Sequence, residues 1–92
     1  MATVPATAYT GQRLEKHAKI SMDQARAIAL KVFPGIVTDT ELEHEKGGSG
    51  LRYSFDIREH SHEDGTVWEE VGVDAKTGKV LENKVEDGPH RD

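Results

Sequence analysis

The sequence predicts an α+β domain in which one amphipathic helix packs on an antiparallel sheet of three to four strands. Three observations predict this fold. A helix start signal precedes a run of apolar residues at helical spacing, later runs alternate apolar and polar residues, and Gly-containing turns separate those runs. Because a lone amphipathic helix must bury its apolar face, we expect the helix and the strands to share one core.

The helix is predicted over residues 22–33. Ser21 and Gln24 stand in the order of a capping box, and Pro34-Gly35 ends the element. The apolar positions at helical spacing are Ala25, Ile28, Ala29 and Val32. This spacing places all four on one buried face.

The segments on either side of the predicted domain have a different composition. Residues 1–19 begin with small residues and Pro, show at most a short helical turn, and are predicted to be a flexible arm. Residues 86–92 carry charge, Gly and Pro and are predicted to be a disordered tail. The folded domain is therefore expected over residues 20–85.

Two alternating runs predict the first strands. In residues 36–45 the even positions from Ile36 to His44 share one face, and the acidic odd positions share the solvated face. The segment 46–50 is a Gly-rich hairpin loop. In the next strand the inward positions are Leu51, Tyr53, Phe55 and Ile57.

A third strand and a fourth are predicted after the turn at residues 60–65. Val67, Val71 and Val73 are expected to face the helix, which leaves Trp68 on the other face. The segment 73–79 is typical of a bulged hairpin with Gly78 in the left-handed conformation.

This hairpin is expected to pair Gly72 with Leu81 and Trp68 with Val85. Those pairs would place Trp68, Leu81 and Val85 in one apolar patch on the open side of the sheet. Two explanations of the patch stay open. In the first, the patch is covered by the N-terminal arm, with Tyr9 and Leu14, or by a second copy of the domain. In the second, Trp68 anchors a partner protein.

Charge and composition exclude several classes of function. The net charge is −5, and residues 36–92 contain 15 acidic against 7 basic side chains, which argues against binding to nucleic acid. No run approaches the roughly 20 apolar residues of a membrane span. The chain has no cysteine, so disulfides, thiolate metal sites and cysteine nucleophiles are excluded.

The sequence predicts no catalytic site and no cofactor. Glu69 and Glu70 are adjacent in a strand and point to opposite faces, so they cannot act on one bond. His60 and His62, beside Glu63-Asp64, are the candidate metal ligands. The alternative interpretation of this segment is a solvated hairpin loop, which makes a poor metal site because it fixes no third ligand.

Three segments resemble the PepSY domain family over residues 20–85. They are the helix ISMDQARAIALKVFPG from Ile20 to Gly35, the strand LRYSFDI from Leu51 to Ile57, and the hairpin VGVDAKTGKVL from Val71 to Leu81. The resemblance implies one helix on an antiparallel sheet, a bacterial protein, and a location outside the cytoplasm, periplasmic or secreted, after removal of a signal peptide. It also implies inhibition or restraint of a peptidase or a cell-wall hydrolase, as for the PepSY part of thermolysin-like peptidase propeptides.

The 92 residues contain no His-Glu-x-x-His zinc motif, so any inhibition is expected to act in trans on a separate exported enzyme. The partner surface is predicted on the open side of the sheet. Its residues are Trp68, Glu70, Leu81, Arg52 and Arg58. The alternatives are a small-ligand or metal-binding envelope protein, and a self-associating structural envelope protein, and the chain is expected to be a monomer or a weak homodimer.

Overall fold

A computed structural model describes residues 8–62 and 65–86 and confirms the predicted α+β fold. One helix packs on a four-stranded antiparallel sheet with strand order β1-β2-β3-β4. The elements are a 3-10 helix at Gln12–His17, α1 at Met22–Val32, β1 at Ile36–His44, β2 at Leu51–His62, β3 at Gly65–Asp74 and β4 at Val80–Glu86. No helix in the described part of the chain is long and apolar enough to cross a membrane.

The helix begins at the predicted capping box. The Gln24 backbone N–H donates to the Ser21 hydroxyl at 3.0 Å, and the Ser21 N–H donates to the Gln24 side chain at 2.9 Å. Ala25 and Ala29 are fully buried against the sheet. We call the sheet face under α1 the helix side, and the opposite face the open face. The core on the helix side contains Leu42, Leu51, Tyr53, Phe55, Ile57, Val71 and Val73.

The predicted face of β1 is wrong at the start of the strand. A β-bulge between Val37 and Asp39 shifts the register, so Val37 lies opposite Ile57 on the helix side. Ile36 lies opposite Arg58 on the open face and is 55% exposed. One extra residue in a strand reverses the alternation on one side of the bulge, which is why the even positions do not all share a face.

The described part of the N-terminal arm lies along β1. Thr10 forms a parallel bridge with Glu41, and the Leu42 N–H donates to the Thr10 carbonyl at 2.9 Å. The Tyr9 ring lies 6.5 Å from the Tyr53 ring, and Leu14 packs on the same core. Tyr53 belongs to the helix side, so the expectation that Tyr9 and Leu14 cover the open face is wrong. Residues 1–7 and 87–92 lie outside the described residues.

Candidate protein-binding surface

The open face is an acidic sheet surface with basic side chains placed among the acids. Its described acidic residues are Asp39, Glu41, Glu43, Asp56, Glu70, Asp74 and Glu82, and its basic residues are Arg52, Arg58 and Lys84. Burial raises the pKa of Glu43, and the neighbouring Glu45 and Glu41 add to the increase. A surface of this kind favours a partner that carries positive charge.

The open face has two different ends. The loop end lies beside the β1–β2 loop at residues 45–50 and the β3–β4 turn at residues 75–79. The hairpin end lies where β2 and β3 run on beyond the last pairs of β1 and β4, which are Ile36 with Arg58 and Trp68 with Glu86.

At the loop end, Arg52 is held by its own chain. The Arg52 guanidinium donates to Glu82 at 3.1 Å and to the Lys46 carbonyl at 3.0 Å, and only 7% of the residue is exposed. Its aliphatic stem passes over Gly72, where an added Cβ would lie 2.9 Å from Arg52 Cδ. Arg52 therefore joins β2 to β4 across a glycine that leaves room for it.

Asp74 ties both loops of this end together. Its carboxylate accepts hydrogen bonds from the Ser49 N–H at 2.6 Å, the Ser49 hydroxyl at 2.8 Å, the Lys76 N–H at 2.8 Å and the Thr77 N–H at 3.1 Å. Burial favours the neutral acid, but these donors outweigh burial and hold the pKa of Asp74 at about 2. Asp74 thus gives the "VDAKTG" motif a structural role, because its ionised side chain fixes two loops at once.

At the hairpin end, Trp68 lies opposite Arg58 on β2, and Arg58 lies opposite Ile36 on β1. Glu70 is the next residue of β3 on this face and lies opposite Asp56 and Lys84. Three side chains of one row, an isoleucine, an arginine and a tryptophan, thus run across the open face. We call Ile36, Arg58 and Trp68 the hairpin-end row.

The predicted β3–β4 pairing is wrong by one residue. A bulge between Gly72 and Val73 places Gly72 opposite Glu82 and Trp68 opposite Glu86. Val85 consequently lies opposite Glu69 on the helix side, where it is 51% exposed. The predicted apolar patch of Trp68, Leu81 and Val85 does not form, because Leu81 is an extra residue of β4 at this bulge and shifts every later pair by one.

The five residues predicted to contact a partner therefore fall into two groups. Arg58, Trp68 and Glu70 lie together at the hairpin end. Arg52 and Leu81 lie at the loop end, where an added Cβ on Gly48 would lie 2.9 Å from the Leu81 side chain. Ile36 was missed as a member of the hairpin-end row, since nothing in its local alternation signals the bulge that turns it outward.

Glu69 and Glu70 lie on opposite faces, as predicted from their adjacency. Glu69 is only 6% exposed on the helix side, opposite Ile57 and Val85. Burial raises the pKa of Glu69. The two carboxylates cannot act on one substrate bond.

The predicted metal ligands cannot be placed. The side chains of His60 and His62, together with Glu63 and Asp64, lie outside the described residues. Elsewhere, within residues 8–62 and 65–86, no three His, Asp or Glu side chains group as a metal site.

A cleft of about 620 Å³ lies between the arm, the start of α1 and β1, and no local pattern predicted it. Its walls carry apolar groups from Tyr9, Met22 and Val37 and charges of both signs from Asp23 and Arg26. The cleft forms only when the arm lies along β1, which is a tertiary arrangement.

Comparison with known families gives one match. The model of the PepSY family, described as the peptidase propeptide and YPEB domain, matches residues 19–84. This range contains α1, the sheet up to Lys84, the Asp74 motif and the whole hairpin-end row. No curated protein and no solved structure matches the chain.

Proposed function

The chain belongs to the PepSY family, and on that premise we propose that it is a non-enzymatic binding module that inhibits or restrains a separate exported peptidase or cell-wall hydrolase. PepSY domains are propeptide and regulatory modules, generally without catalysis of their own, that interact with peptidases. They are typically found outside the cytoplasm. The family match over residues 19–84 is the observation that carries the proposal.

The surface proposed for the target is the hairpin end of the open face. The hairpin-end row combines a tryptophan, an arginine and an isoleucine that is 55% exposed. Tryptophan and arginine are the residue types that most often dominate the energy of a protein interface, and acidic neighbours such as Glu70 and Asp56 form a polar rim. We therefore place the main contact on Trp68, with Arg58 and Ile36 beside it.

The loop end is a poorer contact surface, although Arg52 and Leu81 lie there. A partner that used the Arg52 guanidinium would have to replace its hydrogen bonds to Glu82 and to the Lys46 carbonyl. Breaking a buried, charge-assisted pair costs more than the new contact returns. We assign Arg52 a structural role and leave the partner contact to the hairpin end.

The experiment is a titration of the purified chain against thermolysin-like metallopeptidases and cell-wall hydrolases, with a fluorogenic substrate reporting cleavage. We expect saturable inhibition of at least one of these enzymes. The Trp68→Ala variant should weaken inhibition at least tenfold while its melting curve stays cooperative. Leu81→Ala is the matched control, because it removes an apolar side chain from the other end and should leave inhibition unchanged.

Two results would overturn the proposal. One is no inhibition of any of these enzymes by a chain that itself stays uncleaved. The other is an equal loss of inhibition in both variants, which would mean that the hairpin end has no special part in the contact.

A further inference from the structure

The two edges of the sheet differ in what lies beside them. The outer edge of β1 is occupied by the arm, where Leu42 donates its N–H to the Thr10 carbonyl. Gly11 follows with φ 83°, and an added Cβ there would lie 1.8 Å from the Leu42 carbonyl oxygen. Among the described residues no segment pairs with the outer edge of β4. An open edge of this kind can accept another strand.

The sequence of β4 is complementary to itself in one antiparallel register. If two copies of β4 pair about Asn83, Asn83 lies opposite Asn83 on the two-fold axis. In this register Glu82 of each copy lies opposite Lys84 of the other. This register therefore contains two pairs of opposite charge.

The charged pairs also lie on the same face, as pairing requires. Glu82 lies opposite Gly72 and Lys84 lies opposite Glu70, so both belong to the open face. Directly opposed residues of antiparallel strands must point to the same side of the sheet. A given residue can therefore change its partner only by two positions at a time. The next register in one direction places Lys84 opposite Lys84, and the next in the other direction places Glu82 opposite Glu82. Both neighbouring registers oppose like charges, so one register is selected.

We propose that the outer edge of β4 is an interface between two copies of this chain, which join their sheets into one antiparallel sheet of eight strands about an axis at Asn83. The interface is small, because it rests on the part of β4 beyond its bulge, from Glu82 to Glu86, where Glu82 is partly buried and already accepts a hydrogen bond from Arg52. The dimer is therefore weak and depends on protein concentration. This proposal is independent of the target of the hairpin-end row.

The first test is the mass of the chain in solution, measured by sedimentation equilibrium from micromolar to millimolar concentration. We expect the mean mass to rise from one copy toward two. Lys84→Glu would bring two carboxylates together at each of the two Glu82 pairs, and should shift the dissociation constant at least tenfold toward the monomer. Lys76→Glu makes the same change of charge at an exposed turn position away from the edge, and should dimerise like the parent chain.

The second test determines the register of the two β4 strands by disulfide cross-linking of engineered cysteines. The parent chain contains no cysteine, so only the introduced thiols can react. Directly opposite residues have Cα atoms about 4.5–5.5 Å apart, within the range of a disulfide. On air oxidation Asn83→Cys should form a covalent dimer, whereas Lys84→Cys and Lys76→Cys should cross-link much less.

The proposal is overturned by a monomeric mass at every concentration. It is equally overturned by a Lys84→Glu variant that dimerises like the Lys76→Glu control, or by cross-linking through Lys84→Cys in preference to Asn83→Cys. Circular dichroism of each variant separates a loss of pairing from a loss of folding.

Discussion

The two ends of the sheet are built on opposite principles. At the loop end, the charged side chains of Arg52 and Asp74 are buried, Arg52 donates two hydrogen bonds within its own chain, and the Asp74 carboxylate accepts four. Near the hairpin end, Glu69 is buried on the helix side with its pKa raised, while apolar Ile36 on the open face and Val85 on the helix side are exposed. Buried charged groups that are hydrogen-bonded within the chain fix a structure, whereas an exposed apolar group gains free energy only when something covers it. The loop end therefore serves stability, and the hairpin end is the part that we propose for contact.

The most damaging substitution is expected at the loop end. Asp74→Ala removes the acceptor of four hydrogen bonds and releases Ser49 and the turn at Lys76 and Thr77. We expect the free energy of unfolding to fall by about 3 kcal/mol. Urea denaturation followed by circular dichroism measures it, and Asp39→Ala, an exposed acid on β1, is the control. A loss below about 1 kcal/mol would show that the carboxylate does not hold the loops.

The same residue predicts an acid transition. The pKa of Asp74 is lowered from 3.8 to about 2 in the folded chain, so ionisation stabilises the fold above pH 4 and this stabilisation is lost as the pH falls toward 2. The difference in pKa corresponds to about 2 kcal/mol. Melting temperatures between pH 5 and pH 2 should fall in the parent chain and fall less in Asp74→Asn. Parallel pH profiles for the two chains would contradict the assignment.

Glu69 is expected to make the fold less stable as the pH rises, which is the opposite of the pH dependence expected for Asp74. Burial raises the pKa of Glu69, so the folded chain prefers the neutral acid, and stability is lost as the pH rises through the pKa of the folded state. Glu69→Gln should therefore stabilise the fold by about 1 kcal/mol at pH 7, with the gain disappearing near pH 4. Thermal melts at both pH values measure this. Glu70→Gln, on the open face, should give a smaller change, and a destabilised Glu69→Gln chain would refute the argument.

The mildest change in stability is expected in the row that is proposed to bind. Trp68 is half-buried, and Ile36 is more exposed than buried. Ile36→Ala should change the free energy of unfolding by less than about 0.5 kcal/mol, yet weaken inhibition of a target enzyme. Melting and inhibition measured on the same preparation separate the two properties. A large loss of stability would place Ile36 in the core and remove the contrast between the two ends.

Much of the fold could be predicted from local patterns. The capping box at Ser21 and Gln24, the alternation from Leu51 to Ile57 and the turn at residues 73–79 each specify an element within a few residues of chain, so order and type of element were accessible. The candidate site was accessible only in part. Trp68 was correctly assigned to the open face because its position in β3 has the opposite parity to the inward Val71 and Val73, but its neighbours were not those expected.

Local patterns were thus sufficient for the helix, the succession of strands and the inward face of β2. The positions of the bulges, near Val37 and near Gly72, emerged only in the folded chain. They place Ile36 in one row with Trp68, with Arg58 between them, while Leu81 and Val85 lie elsewhere. The packing of Tyr9 beside Tyr53 and the path of Arg52 over Gly72 likewise required the assembled sheet. The physical reason is that periodicity records each residue's face relative to its own strand. Register between strands depends on pairing and packing with distant residues, and a single bulge changes which side chains meet.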